Sequence, residues 1–308
     1  MNNKPWATLA PGVRWQGWWQ PDDAKLTPLP VLAARGLHDG PTVLVTGAVH
    51  GDEYEGPAAI HHLFQTMDLS QLHGRVMGLP IVNVAAYHAR ARVTPADGMD
   101  LNRTFPGVAD PQASLSRRLA HAIFSNFVQM CDVLIDLHSG GAKLVHLPLV
   151  GWYAGDNRAE QMARAFHPAL HPWLIPAQAG VLSYEAHRAG KAAIGAEWGG
   201  GARLDNAGVA AYAAGIRRLL HSLHQPTQAS CASNTAACIA GSYQEVAQGG
   251  LFVATVELGA RVQAGDLLGT LYDELGATVA QVTAARAGLV AALAHNALLH
   301  PGDRVAYV

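Results

Sequence analysis

Short apolar runs rich in β-branched residues, alternating with stretches of helical periodicity, limit what this chain can fold into more than any other feature. TVLVTGAV (Thr42 to Val49), VMGLPIV (Val76 to Val82), DVLIDLH (Asp132 to His138) and AAIGAEW (Ala192 to Trp198) carry apolar residues at successive positions. A strand of that kind is buried on both faces. Helical spacing is read between and after them, over 56–67, 114–130 and 206–223. The alternation predicts an α/β unit, a mostly parallel mixed sheet flanked by helices.

At 308 residues the chain exceeds one average domain. The small, polar stretch QPTQASCASNTAA from Gln225 to Ala237 is the candidate linker. Beyond it, short apolar runs separated by glycine-bearing turns read as a small all-β unit. We therefore expect a catalytic α/β domain over 1–228 and a C-terminal β domain over 229–308. Hydrophobic residues make up 50% of the chain and charged ones 14%, enough apolar side chain for a large core.

A net charge of −2 argues against nucleic acid or an anionic membrane and for a small-molecule partner. Trp15, Trp18 and Trp19, with no basic patch beside them, read as packing residues. Three cysteines without a CxxC pair suggest neither a disulfide framework nor a thiolate metal site. No window approaches a membrane span, and MNNKPWATLA lacks a signal-peptide apolar stretch. The expectation is a cytoplasmic protein, with a homo-oligomer left open.

Ionisable residues stand where the strands end. His50 and Glu53 follow the first run, His138 closes the third, and Glu197 lies at the end of the fourth. The carboxyl edge of an open α/β sheet is where ligands bind. An imidazole and a carboxylate three residues apart can close on one ion if the chain turns between them, and Gly51 permits a turn. His138 completes a two-histidine, one-carboxylate set whose fourth position is left to water, the pattern of a catalytic zinc. The rival pair His221 and His224 sits near a helix C-terminus, where the dipole and solvent also explain histidines. His61 and His62 are adjacent and cannot both face one side of a helix. His167 and His171 flank prolines and read as loop or packing residues.

HGDEYEG (His50 to Gly56), DGMDLNRTFPG (Asp97 to Gly107), DLHSGG (Asp136 to Gly141) and AEWGGG (Ala196 to Gly201) together resemble the succinylglutamate desuccinylase/aspartoacylase family, relatives of the zinc carboxypeptidases. The four motifs occur in the family's order. The resemblance implies a carboxypeptidase-like fold and one Zn2+ per chain on His50, Glu53 and His138. It implies that Glu197 takes a proton from the zinc-activated water and passes it to the leaving amine. By the same resemblance Asn102 and Arg103 grip a substrate carboxylate, a task that suits a planar guanidinium. Arg92 matches the arginine that stabilises the oxyanion, with Arg90 as the alternative. Asp100 matches a carboxylate that orients a metal-bound histidine. Asp136 either orients His138 or is an ordinary strand aspartate.

The function so implied is zinc-dependent hydrolysis of a non-peptide amide in a small N-acyl amino acid or related N-acyl amine bearing a carboxylate. The alternatives are a metallocarboxypeptidase acting on peptides and a non-catalytic binder of an anionic metabolite. The C-terminal unit contains no lysine, which excludes a lysine-linked cofactor. Two roles stand for it: a wall of the active site, or support for assembly.

Overall fold

The computed structural model describes residues 4–223 and 234–308. The boundary expected at 228/229, His224 and Cys231 lie outside them. In chain order the first part contains Arg14–Trp19 (β1), Leu29–Arg35 (β2), His38–Thr46 (β3), Glu55–Thr66 (α1), His73–Leu79 (β4), Val84–Ala89 (α2), Leu115–Ile123 (α3) and Val133–His138 (β5). Leu144–Trp152 (β6), Asn157–Phe166 (α4), His171–Leu174 (β7), Leu182–Arg188 (α5), Ala192–Gly200 (β8) and Asn206–Ser222 (α6) follow.

Neighbours β4, β3, β5 and β8 run parallel at the centre of the sheet. Antiparallel pairings flank them, β4 with β2 and β1 on one side and β8 with β6 on the other. The central strands are buried on both faces, and successive residues serve two cores. Val43 and Val45 pack with Ile60, Leu63 and Ile216 from α1 and α6. Leu44 packs on the opposite face with Leu119, Ile123 and Phe127. Helix starts carry side-chain caps: Asp156 accepts from Ala159 N at 2.9 Å and Asp205 from Ala207 N at 2.8 Å.

Three sequence expectations shift. The first run leaves the strand at Thr46 rather than Val49, because Ala48 turns into the left-handed region (φ 46°). The helix expected over 114–130 changes pitch after Ile123 into a π-helical turn, Phe124–Val128. Strands β2, β6 and β7 and helices α2, α4 and α5 lie outside the sequence expectations. Trp15 and Trp19 pack near Trp6, whereas Trp18 is exposed on β1, the sheet edge.

The C-terminal part contains Tyr243–Glu245 (β9), Gly250–Ala254 (β10), Arg261–Val262 (β11), Leu267–Tyr272 (β12), Thr278–Thr283 (β13), Gly288–Leu289 (β14), Ala292–Ala294 (β15), Leu298–Leu299 (β16) and Arg304–Tyr307 (β17). An antiparallel sheet of β13, β12, β10 and β16 covers its own core around Phe252, Leu268 and Val290. Strands β15, β17 and β9 do something different: β15 pairs with β6, so they extend the large sheet to eleven strands. That extension carries C-terminal residues to the edge where the sequence motifs gather. Among the described residues, no helix is long and apolar enough to cross a membrane.

Candidate metal centre

Four residues beyond β3, His50 is held by a loop zipped to the loop after β4. Gly47 N donates to Leu79 O at 3.0 Å, Asn83 N to Ala48 O at 2.9 Å, and Gly51 N to Ala91 O at 2.9 Å. Gly51 is needed here for a reason other than backbone freedom. A Cβ at this position would run into the Ala86 carbonyl of α2. His138 is the last residue of β5 and lies in register with Glu197 of β8. Glu197 sits inside β8 rather than at its end, because that strand continues to Gly200 in its pairing with β6.

His50 Nδ1 lies 2.7 Å from Glu53 Oε1, and His138 Nδ1 lies 2.9 Å from Glu53 Oε2. Each ring's other nitrogen faces a further carboxylate. His50 Nε2 is 3.2 Å from Asp100 Oδ1, and His138 Nε2 is 3.0 Å from Asp136 Oδ2. Asp136 is fully buried, and its Oδ1 accepts from Thr46 Oγ1 at 2.7 Å. Burial pushes the Glu53 carboxyl up, but the His50 and His138 rings outweigh it and hold the group well below the usual carboxylate range. Burial alone would lower His138; Asp136 and Glu53 reverse that and raise it well above an ordinary histidine.

The donor set fits a divalent cation of the zinc type. One nitrogen from each imidazole and one Glu53 oxygen lie within 4.8 Å of one another, all on buried residues. Imidazole and carboxylate are the ligand chemistry of catalytic zinc. A neutral imidazole that binds through Nδ1 carries its proton on Nε2, and here both Nε2 atoms face a carboxylate able to accept it.

Arg92 ties this cluster to the long loop. Its Nε and Nη2 donate to Asp100 Oδ2 at 3.2 and 3.0 Å, and Nη1 stands 3.8 Å from Glu53 Oε1. Asp100, though partly buried, is held well below the carboxylate range by His50 and Arg92. Arg90 is exposed and caps α2, so of the two candidate arginines Arg92 is the one that lines the cavity. Asp100 also caps a 3-10 turn, Leu101–Arg103, accepting from Asn102 N at 2.9 Å. Asn102 Oδ1 accepts from Leu182 N at 2.8 Å, which leaves its NH2 as the free donor. Arg103 donates to its neighbour's carbonyl, Asn102 O, at 2.6 Å.

His50, Glu53, His138, Arg92, Asn102 and Arg103 line one cleft. Glu197 is in its wall. Burial pushes the Glu197 carboxyl up to about 8, and Glu53 and Asp136 add to the rise while His138 and Arg92 oppose it. Its Oε2 is buried without a hydrogen-bond partner. Sequence reasoning missed several lining residues. His146 stands 3.6 Å from Glu197 through Nδ1, Tyr243 OH lies 2.9 Å from His146 Nε2, and the Arg304 guanidinium lies 4.0 Å from the centre of the Tyr243 ring. Only the β6–β15 pairing brings Tyr243 and Arg304 to the cleft, and no local motif signals it. The rival histidines are elsewhere: His61, His62, His171 and His221 are exposed, and His167 is half-buried outside the cleft.

The model of the succinylglutamate desuccinylase/aspartoacylase catalytic domain matches residues 39–223. The chain is 33% identical over 289 residues to the N-alpha-acetyl-L-2,4-diaminobutyric acid deacetylase of Halomonas elongata, covering 88% of this chain and 82% of that one. Among solved structures, the product-bound ectoine utilization protein EutE (DoeB) of Ruegeria pomeroyi superposes with a TM-score of 0.83 at 30% identity, over 96% of this chain and 94% of that one. A succinylglutamate desuccinylase/aspartoacylase of Rhodobacter sphaeroides superposes with a TM-score of 0.81 at 30% identity, over the same shares.

Proposed function

Because the chain belongs to the succinylglutamate desuccinylase/aspartoacylase family, we propose that it is a zinc-dependent deacylase that hydrolyses the amide of a small N-acyl amino acid. His50, Glu53 and His138 would hold the single zinc ion. The observation that carries this reading is that each imidazole stands between two carboxylates, with Nδ1 at 2.7 or 2.9 Å from Glu53 and Nε2 at 3.2 or 3.0 Å from a separate aspartate. Two histidines arranged only for packing have no need of three carboxylates. That the Halomonas elongata relative is a deacetylase supports acetyl as the acyl group.

A bound zinc ion supplies Lewis acidity, polarising the amide carbonyl and bringing the pKa of water near 7. Glu197 takes a proton from the attacking water on its unpartnered oxygen and delivers it to the leaving nitrogen. The burial that raises its carboxyl lets it carry that proton near neutral pH. Arg92, braced by Asp100, offers positive charge to the carbonyl oxygen as negative charge develops there. Asn102 and Arg103 hold the substrate carboxylate and so set the position of the scissile bond. The products are a carboxylic acid and a free amino acid. Walls from the C-terminal part, Tyr243 and Arg304, favour a small substrate over a peptide, which needs an open groove.

The test is a hydrolysis screen of N-acetyl, N-succinyl and other N-acyl amino acids with zinc-loaded protein, alongside longer peptides. Turnover of a small N-acyl amino acid with about one zinc per chain is expected. Turnover of peptides alone would transfer the site to the carboxypeptidase reading, and tight binding without turnover would make it a binding protein.

A further inference from the structure

Arg304 is the one cleft-lining arginine that no sequence motif announces. It sits on β17, reaches the cleft because the C-terminal strands extend the large sheet, and lays its guanidinium over the Tyr243 ring. Tyr243 is itself fixed, its hydroxyl on His146 Nε2 and its ring packed edge-on against Tyr307. A guanidinium stacked on a pinned aromatic loses little freedom on binding a ligand, since its plane is already set.

Two carboxylates adjoin Arg304, one immediately before it in the chain and one across from it on β9. Asp303 accepts from Lys143 Nζ at 2.6 Å and from His300 N at 2.8 Å. Glu245, its cross-strand neighbour, is exposed, and among the described residues no carboxylate pairs with Arg304. Arg103 faces the same cleft and makes no salt bridge among the described residues: burial lowers its guanidinium pKa, Asp100 opposes that, and Arg92 and Arg304 lower it further. Arg92 differs from both, because Asp100 and Glu53 already claim it. Two half-buried guanidiniums from separate parts of the chain, both lining one cleft, form a site for an anion.

We propose that Arg304 is a substrate-binding residue that shares the amino acid's carboxylate with Arg103, so that the C-terminal part supplies half of the grip. This rests on the deacylase reading above. Arg103 alone would approach the carboxylate from the loop side; adding Arg304 from the sheet extension gives the anion two forks and places the acyl end toward Glu197.

The experiment compares an N-acetyl amino acid with its carboxamide analogue, which keeps the shape and lacks the charge, in the wild-type protein, Arg304→Gln and Arg304→Lys. In Arg304→Gln the preference for the carboxylate substrate should fall on the order of 10- to 100-fold, mainly through KM, with carboxamide turnover retained. Arg304→Lys, which keeps the charge without the fork, should fall between. An Arg304→Gln variant that keeps wild-type discrimination, or loses both substrates equally, overturns the assignment and leaves the deacylase reading standing. A wild-type protein inert on every N-acyl amino acid removes that reading, and this inference with it.

Discussion

Replacing Asp100 with asparagine tests the centre through a residue that is neither a proposed ligand nor the proposed base. The Asp100 carboxylate sits among four donors: Asn102 N at 2.9 Å and His50 Nε2 at 3.2 Å on Oδ1, and Arg92 Nη2 at 3.0 Å and Nε at 3.2 Å on Oδ2. Asparagine offers one oxygen and one NH2. If its oxygen faces His50, its NH2 meets two N–H groups of Arg92; if it is reversed, it meets Asn102 N and His50 Nε2. Every orientation sets donor against donor. A hydrogen bond to a charged group contributes about 1.5–3 kcal/mol, so losing the hold on His50 should weaken zinc binding roughly 10- to 100-fold. If Arg92 swings away, turnover at saturating zinc should fall by about a further 100-fold. Competition against a chromophoric chelator gives the first quantity, and kcat in excess zinc gives the second. Wild-type metal affinity in a folded Asp100→Asn protein would refute the claim that this carboxylate orients the ligand.

Glu197→Gln should lower kcat by about 100- to 10,000-fold while zinc affinity stays within a few-fold, because the residue is not among the proposed ligands; an active variant removes it from the mechanism. Gly51→Ala should act through sterics alone. Its new methyl meets the α2 backbone, so the loop bearing His50 and Glu53 must shift at a cost of about 1–3 kcal/mol. Calorimetry should show a lower Tm, and chelator competition a weaker metal site; unchanged values for both would mean that the loop yields without effect.

Much of the architecture was legible because its signals are local. A strand buried on both faces needs consecutive apolar residues, so β3, β5 and β8 announce themselves in sequence. Strand β1 shows only as alternating bulky residues at the sheet edge, and β6, interrupted by His146 and Pro148, does not show at all. The apolar run preceding His50 outlasts its strand because Ala48 and Val49 are apolar, and nothing local reveals the left-handed turn at Ala48. The chain turns at Gly51 as its spacing suggests, but the backbone that excludes a side chain there belongs to α2, 35 residues further on at Ala86.

The sequence by itself determined the alternation of strands and helices, the motifs that mark the family, and the side chains able to share a metal. Each depends on residue type and short spacing. Tertiary structure alone decided which nitrogen of each imidazole faces Glu53, that Arg92 rather than Arg90 lines the cleft, and that Tyr243 and Arg304 wall it. Those outcomes depend on strand register and on β15 pairing with β6 across more than a hundred residues, where the position of a side chain is set by its partners in space rather than by its neighbours in the chain.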